Sequence, residues 1–249
     1  MTSLHLSGEV HDALPRLQEF LASLWLPQEK IQDFDLFLCA FVHKSYASDF
    51  KEAYDHNERL EFVGDAMLGS VIAKKLFLDF PKMQESTMTL YKIALVREET
   101  LCTVAKKIWL PQQLFISKGE ERNGGREKAS ITSDAMESLI GYLALDMWYE
   151  VMENFVLKVV YPEIKEIAKT PVKSYKTMAQ ESIQKIYKQL PVYKDSEEKI
   201  DDKGNVLLFR SEIIAEEKVL ATGFWTNKKK AQEDAAKNYY EGLKGENIK

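Results

Sequence analysis

HNERLEFVGDAML, residues 56–68, spaces its apolar residues Leu60, Val63, Met67 and Leu68 at three, four and one, as one face of a helix does. The same stretch sets Glu58, Glu61 and Asp65 three and then four residues apart, which brings all three acids onto one narrow stripe of that helix. Like charges stacked this way cost only a few tenths of a kcal/mol on a solvated face, roughly 0.2–0.5 per pair, and there an acidic stripe has no special meaning. Here it runs among large apolar side chains with Arg59 as its basic neighbour. A divalent cation is the natural candidate to neutralise it.

Outward from this stretch, residues 1–168 read as helices throughout. Apolar residues recur at three and four positions in 31–46, 60–77, 89–108, 131–148 and 152–168, with Pro- and Gly-bearing connections between. One of these runs, SDAMESLIGYLALD (133–146), carries a second acidic pair, Asp134 and Glu137, again on one helical face amid Met136, Leu139, Ile140 and Leu143. Taken singly, each acidic set reads first as a solvated face. If the two helices pack face to face, Glu61, Asp65, Asp134 and Glu137 converge into the all-oxygen surroundings that suit Mg2+, with Mn2+ as a possible alternative. Such an ion can activate water and stabilise the leaving oxygen of a phosphodiester.

The pattern changes at AKTPVKSY (168–175), so residues 169–173 are read as a linker. Beyond it, 174–245 reads as α-β-β-β-α, with Ala231, Ala235, Tyr239 and Leu243 forming the packing face of the last helix. The expected fold is therefore an all-α domain followed by a small α+β domain. The net charge of −5 conceals an asymmetry: residues 1–170 hold 26 acids against 19 Lys and Arg, and residues 171–249 hold 13 against 15. An acidic front suits a metal and a basic back suits a polyanion. Two cysteines, Cys39 and Cys102, without metal-ligand spacing, imply a reducing compartment and no disulfide framework. No stretch is apolar enough to serve as a signal or a membrane span, so the expectation is a cytoplasmic protein with no membrane partner.

The stretch HNERLEFVGDAML resembles the signature of the ribonuclease III family, N-E-R-L-E-F-L-G-D, and SDAMESLIG resembles its second acidic motif, D-x-x-E-A-L-I-G. The tail is similar to the double-stranded-RNA-binding domain that bacterial members carry. The resemblance covers nearly the whole chain. It implies a Mg2+-dependent endoribonuclease that hydrolyses double-stranded RNA to 5′-phosphate and 3′-hydroxyl ends, with precursor ribosomal RNA and structured messenger RNA as usual substrates. A duplex has two strands related by a local two-fold, which one acidic cluster per chain would match as a homodimer.

Carried over residue by residue, the resemblance implies Glu61, Asp65, Asp134 and Glu137 as metal-binding catalytic acids and Glu58 as a further acid of the cleavage valley that engages RNA. Glu85 falls where the family has another acid near the scissile strand. Phe62 matches an aromatic of the dimer interface, and core burial explains it equally well. Gly64 would allow close helix packing, and Asn57 would cap the helix. His43, His56 and Cys102 are read as structural. In the tail, Gln180 and Glu181 match the first-helix contacts to a minor groove, and Lys228, Lys229 and Lys230 match the lysines that meet phosphates across the major groove. Two departures stand out: the acidic DSEEKIDDKGN (195–205) replaces the family's G-P-x-H loop, with Asn205 or Lys203 as substitute contacts, and Trp225 replaces a family glycine. The competing reading is a non-catalytic duplex-RNA-binding regulator that keeps the nuclease fold as a dimer scaffold.

Overall fold

The computed structural model describes residues 4–50, 54–169, 174–202 and 204–246, and the chain divides into two compact units, 1–170 and 171–249. Lys203 and residues 170–173 of the expected linker lie outside the described residues. In the first unit the helices are α1 (Gly8–Asp12), α2 (Leu14–Ser23), α3 (Phe34–Cys39), α4 (Lys44–Ser48), α5 (Glu58–Asp79) and α6 (Glu85–Val96). They continue with α7 (Glu98–Lys107), α8 (Lys118–Arg122), α9 (Ala129–Asp146), α10 (Tyr149–Val159) and α11 (Ile164–Ile167). The run 89–108, continuous in its apolar spacing, is broken at Arg97, whose extended backbone (φ −67°, ψ 153°) ends α6 and starts α7. Thr100 holds that break by donating its hydroxyl to the Ala94 carbonyl at 2.7 Å.

Helix α9 is the axis of the unit. Its residues Ile131, Met136, Leu139, Ile140, Tyr142 and Leu143 are all buried, because α5, α7 and α10 cover it on several sides. Helix α5 lies along it through Leu60, Gly64, Leu68 and Val71. The two backbones touch where glycines face each other: a Cβ on Gly64 would stand 1.7 Å from the Glu137 carbonyl oxygen, and one on Gly141 would stand 2.1 Å from the Leu60 carbonyl oxygen. No side chain fits either gap, so the crossing point is fixed by two missing methyl groups. Glu61 and Asp65 flank Gly64, and Glu137 stands one turn before Gly141, so the same contact sets the spacing of the acids.

In the second unit α12 (Tyr175–Tyr187) and α13 (Lys228–Glu246) pack together on one face of an antiparallel sheet of β1 (Val192–Ile200), β2 (Val206–Ala215) and β3 (Lys218–Trp225), in the order β1-β2-β3. Ile213 and Ala215 meet Ala179 and Ile183 of α12 and Ala236 and Tyr239 of α13 in a small core. The expected face of α13 is confirmed, with Ala231, Ala235 and Tyr239 buried and Leu243 partly so. The acidic stretch 195–205 differs from its reading as a loop: Asp195–Ile200 continue β1, pairing Ser196 with Arg210 and Ile200 with Val206, and the turn itself is short. Alternating residues there still reach solvent, so charge does not stop the strand.

Candidate active site

Glu61 and Asp65 stand on successive turns of α5, Asp134 and Glu137 on successive turns of α9. The glycine contact between those helices brings Glu61, Asp134 and Glu137 together, all half-buried, with one carboxylate oxygen from each within 4.8 Å of the others. Two carboxylates at 4.8 Å repel by about 3.5 kcal/mol at an effective dielectric near 20, far more than the surface value for an acidic stripe. Burial, reinforced by Asp65, Glu61 and Asp134, pushes the Glu137 carboxyl up to about 8. Burial first and then the neighbouring acids also raise Glu61, while burial raises Asp134 against a lowering hydrogen bond from Ser133. A site that cannot keep three bare negative charges takes up protons or a divalent cation. Its donor set is all carboxylate oxygen, half-buried and open to solvent, which fits a hard ion that retains waters.

The second unit concentrates charge of the other sign. Asn227 caps α13 by accepting from the Lys230 amide at 2.9 Å, and Lys228, Lys229 and Lys230 follow on the first turn, exposed. Lys228 lies 5.6 Å from the Phe209 ring centre, Lys230 lies 5.6 Å from that of Trp225, and Phe209 and Trp225 are partners in the register of β2 and β3. Gln180 and Glu181 of α12 are exposed as well.

Residues 33–164, just over half of the chain, match the ribonuclease-III-like family model, and residues 175–243 match the double-stranded RNA binding motif. The chain belongs to the ribonuclease III family. Ribonuclease 3 of Staphylococcus aureus, strains Mu3 and Newman among others, is 36% identical over 214 residues, which cover 86% of this chain and 87% of the relative. Two solved nuclease domains of ribonuclease III from Campylobacter jejuni are 36% identical and cover 59% of this chain and 96% and 94% of theirs, with TM-scores of 0.53 and 0.52. The chain is thus an endoribonuclease of the ribonuclease III type acting on double-stranded RNA, and its acidic cluster is a site able to hold the divalent metal that the family implies. No helix among the described residues is long and apolar enough to cross a membrane.

Within this ribonuclease III fold the remaining candidates divide by position. Asp65 is exposed and stands outside the tight group of three, although its charge acts on both Glu61 and Glu137. Glu58 also stands outside it, on the first turn of α5, where its Oε1 accepts from Lys44 Nζ at 2.8 Å and its carboxyl is held below the usual range. Glu85 is exposed at the start of α6 and accepts from the Thr89 hydroxyl at 2.8 Å. Phe62 is 80% exposed, which removes core burial as its explanation in this chain. Asn57 occupies the position before α5, but its side chain makes no cap; its buried amide nitrogen has no partner among the described residues, and its main chain does the holding, donating to the Val42 carbonyl at 2.8 Å. His43 is buried, accepts from the Ser45 amide at 3.2 Å to start α4, and is lowered by burial, as suits a neutral structural imidazole. Cys102 is buried and free.

Sequence reading missed Lys44. It lies 14 residues before Glu58, and no helical spacing relates the two; only the tertiary fold brings them together. In the tail Asn205 is already engaged, with both its amide groups donating to Asp201 at 2.7 and 3.0 Å. Trp225 is 45% exposed at the end of β3, where it carries Lys230.

Proposed function

We propose that this ribonuclease III is a Mg2+-dependent, cytoplasmic homodimer that hydrolyses duplex RNA to 5′-phosphate and 3′-hydroxyl ends, maturing precursor ribosomal RNA and structured messenger RNA. Residues 1–168 are the nuclease and 174–245 the RNA grip, joined by 169–173. The observation that carries the catalytic part is the set of three half-buried carboxylates, from two helices locked at a glycine contact, with Glu137 pushed up to about 8. Glu61, Asp134 and Glu137 would hold the ion, and Asp65, one turn from Glu61, would add its negative charge to the ion's surroundings. When bound, the ion supplies polarisation of water and of the scissile phosphate. Water adds to phosphorus, the P–O3′ bond breaks, and O3′ leaves with a proton; the phosphate stays on the 5′ side. Glu58 and Glu85, outside the cluster, face RNA and not the ion.

The tail holds the duplex by its backbone: Lys228, Lys229 and Lys230 meet phosphates, while Gln180 and Glu181 reach 2′-hydroxyls. Lysines on the first turn oppose the helix dipole, a conflict that bound phosphate relieves. The exposed Phe62 ring suits an interface between copies. One solved nuclease domain from Campylobacter jejuni is described as flexible in a region involved in dimer formation.

Purified protein given a long duplex with both strands labelled, with and without Mg2+, tests this reading. Cleavage is expected only with the ion, in products that a 5′-phosphate-dependent exonuclease degrades. Cutting without any divalent ion, or products resistant to that exonuclease, would sink it.

A further inference from the structure

Arg59 is the basic neighbour of the acidic stripe in sequence, yet in space it turns away from it, lining a pocket of about 340 Å³ with Asp33, Asp55, His56 and Val63. The cation beside the cluster is Lys44. Its ammonium sits 2.8 Å from Glu58 Oε1, and its charge draws on Glu61 and Asp134 as well.

We propose that Lys44 is a substrate-binding residue of the nuclease site: held at the rim of the carboxylate cluster by Glu58, its ammonium takes a phosphate oxygen of the strand that lies over Glu61, Asp134 and Glu137. This rests on the reading of that cluster as the place where duplex RNA is cut. Three features support it. First, the position is built and not an accident of a mobile surface. The main chain on either side is pinned, with the His43 amide donating to the Phe115 carbonyl at 3.0 Å, the Asn57 amide to Val42 at 2.8 Å and the Ser117 amide to Ser45 Oγ at 3.1 Å. On the far side of α4, Tyr46 and Ala47 are buried, and the Tyr46 hydroxyl meets Ser7 at 2.8 Å and Glu9 at 3.0 Å. Lys44, at the first position of this short helix, is exposed, and its charge reaches the cluster.

Second, the Lys44–Glu58 pair does little for stability. The side chains are 58% and 46% exposed, and pairs so open to solvent contribute little. An ammonium has three donors, so at small cost it can take a phosphate oxygen while one N–H stays on Glu58. Third, the cluster has an electrostatic need. An RNA strand that approaches three carboxylates is repelled by them; a lysine at the rim offers an attraction that brings the strand in.

The test uses the full chain with Lys44→Met, which keeps length and removes charge, and Lys44→Arg, which keeps charge. Two quantities are read without any cleavage: Mn2+ affinity in the absence of RNA, from the resonance signal of the free ion, and duplex affinity against salt in the absence of divalent ions. Removing a like charge should tighten Mn2+ binding about threefold in Lys44→Met. The same variant should lose about fivefold in duplex affinity and about 0.9 in the slope of log K against log salt, the value of one phosphate contact. Lys44→Arg should restore both RNA readings. Unchanged affinity and slope in Lys44→Met would reduce the pair to surface decoration, and weaker Mn2+ binding would make Lys44 a scaffold of the acids; either overturns the proposal. An Arg variant no better than Met overturns it too. Wild-type protein that cuts duplex RNA with Mg2+ while Lys44→Met binds normally sinks Lys44 alone, whereas wild-type protein that never cuts sinks the reading beneath it.

Discussion

The two units crowd like charges and cope in opposite ways. In the helical unit Glu61, Asp134 and Glu137 are half-buried within 4.8 Å of one another, and burial together with repulsion drives Glu137 up to about 8. In the second unit Lys228, Lys229 and Lys230 share one helical turn in open solvent, with two of them resting against aromatic rings. The difference is the medium. Water screens the lysines, so their repulsion is small and their partner, a polyanion, can come and go with salt. The acids have lost much of that screening and need a compact counter-charge, which is what a hard divalent ion is.

The largest effect should come from removing one charge of the dry cluster. Glu137→Gln keeps the shape of the side chain and should lower the cleavage rate at least ~10³-fold, while duplex affinity at fixed salt stays within about twofold. A rate near that of the wild type would mean that the contrast between the units has no catalytic meaning. Next in size are the glycine contacts that each unit uses for close approach. Gly64→Ala puts a Cβ 1.7 Å from a carbonyl oxygen of α9, and Gly223→Ala puts one 2.1 Å from the Ala235 nitrogen of α13. Each should cost roughly 3 kcal/mol in its own unit, because backbone and not a flexible side chain stands in the way. Gly64→Ala should abolish cutting. Gly223→Ala should lose duplex binding at physiological salt yet retain Mg2+-dependent cutting at low salt; calorimetry that shows both variants melting the whole chain in one step would erase the distinction between units.

These contacts also mark how far the residues alone could be read. The acidic stripes were legible because a period of 3.6 fixes which side chains share a face, and two such stripes with apolar neighbours pointed to one shared site. The α-β-β-β-α order and the buried face of α13 followed from alternation and four-residue spacing. What escaped depends on packing between distant segments. Nothing local says that Gly64 meets Gly141, that Asp65 falls outside the tight group that Glu61 joins, or that Arg59 turns away while Lys44 arrives from another helix. The acidic stretch 195–205 misled for a local reason: charge there sits on a strand with a solvated face, where it does not break pairing.

A smaller effect is expected from the wet cluster. Lys228→Ala with Lys229→Ala should weaken duplex binding about tenfold near 0.15 M salt and reduce the log–log salt slope by roughly 1.8, two phosphate contacts. At low salt the loss should shrink, and cleavage per bound duplex should not change. Filter binding across a salt series reads both quantities; a tenfold loss with no change of slope would mean that the contact of Lys228 with the Phe209 ring, and not phosphates, carries the effect.

The smallest effect concerns the cluster without its ion, and its sign separates it from the rest of the protein. Glu137 is raised in the folded chain to about 8 from an ordinary carboxyl value of 4.5, so between those values the folded state holds a proton that the unfolded state has released. Stability must then fall as pH rises through that window, and the fall levels off above about 8. His43, lowered by burial, works the other way: the unfolded chain gains a proton below the ordinary histidine value, so its contribution rises with pH up to about 6.5 and is flat above it. The range between pH 7 and 8 therefore leaves His43 out and reads the raised carboxyls of the cluster, Glu137 foremost. In chelator, the melting temperature of the helical unit should drop by a few degrees across that range, on the scale of about 2–4 °C per kcal/mol for a unit this size. Glu137→Gln, which has no proton to lose, should flatten the drop. Saturating Mg2+ should flatten it as well, by replacing the proton with a cation that binds the folded state alone. A drop that persists unchanged in Glu137→Gln would place the titration elsewhere and leave the repulsion among these three carboxylates without the energetic weight that their spacing implies.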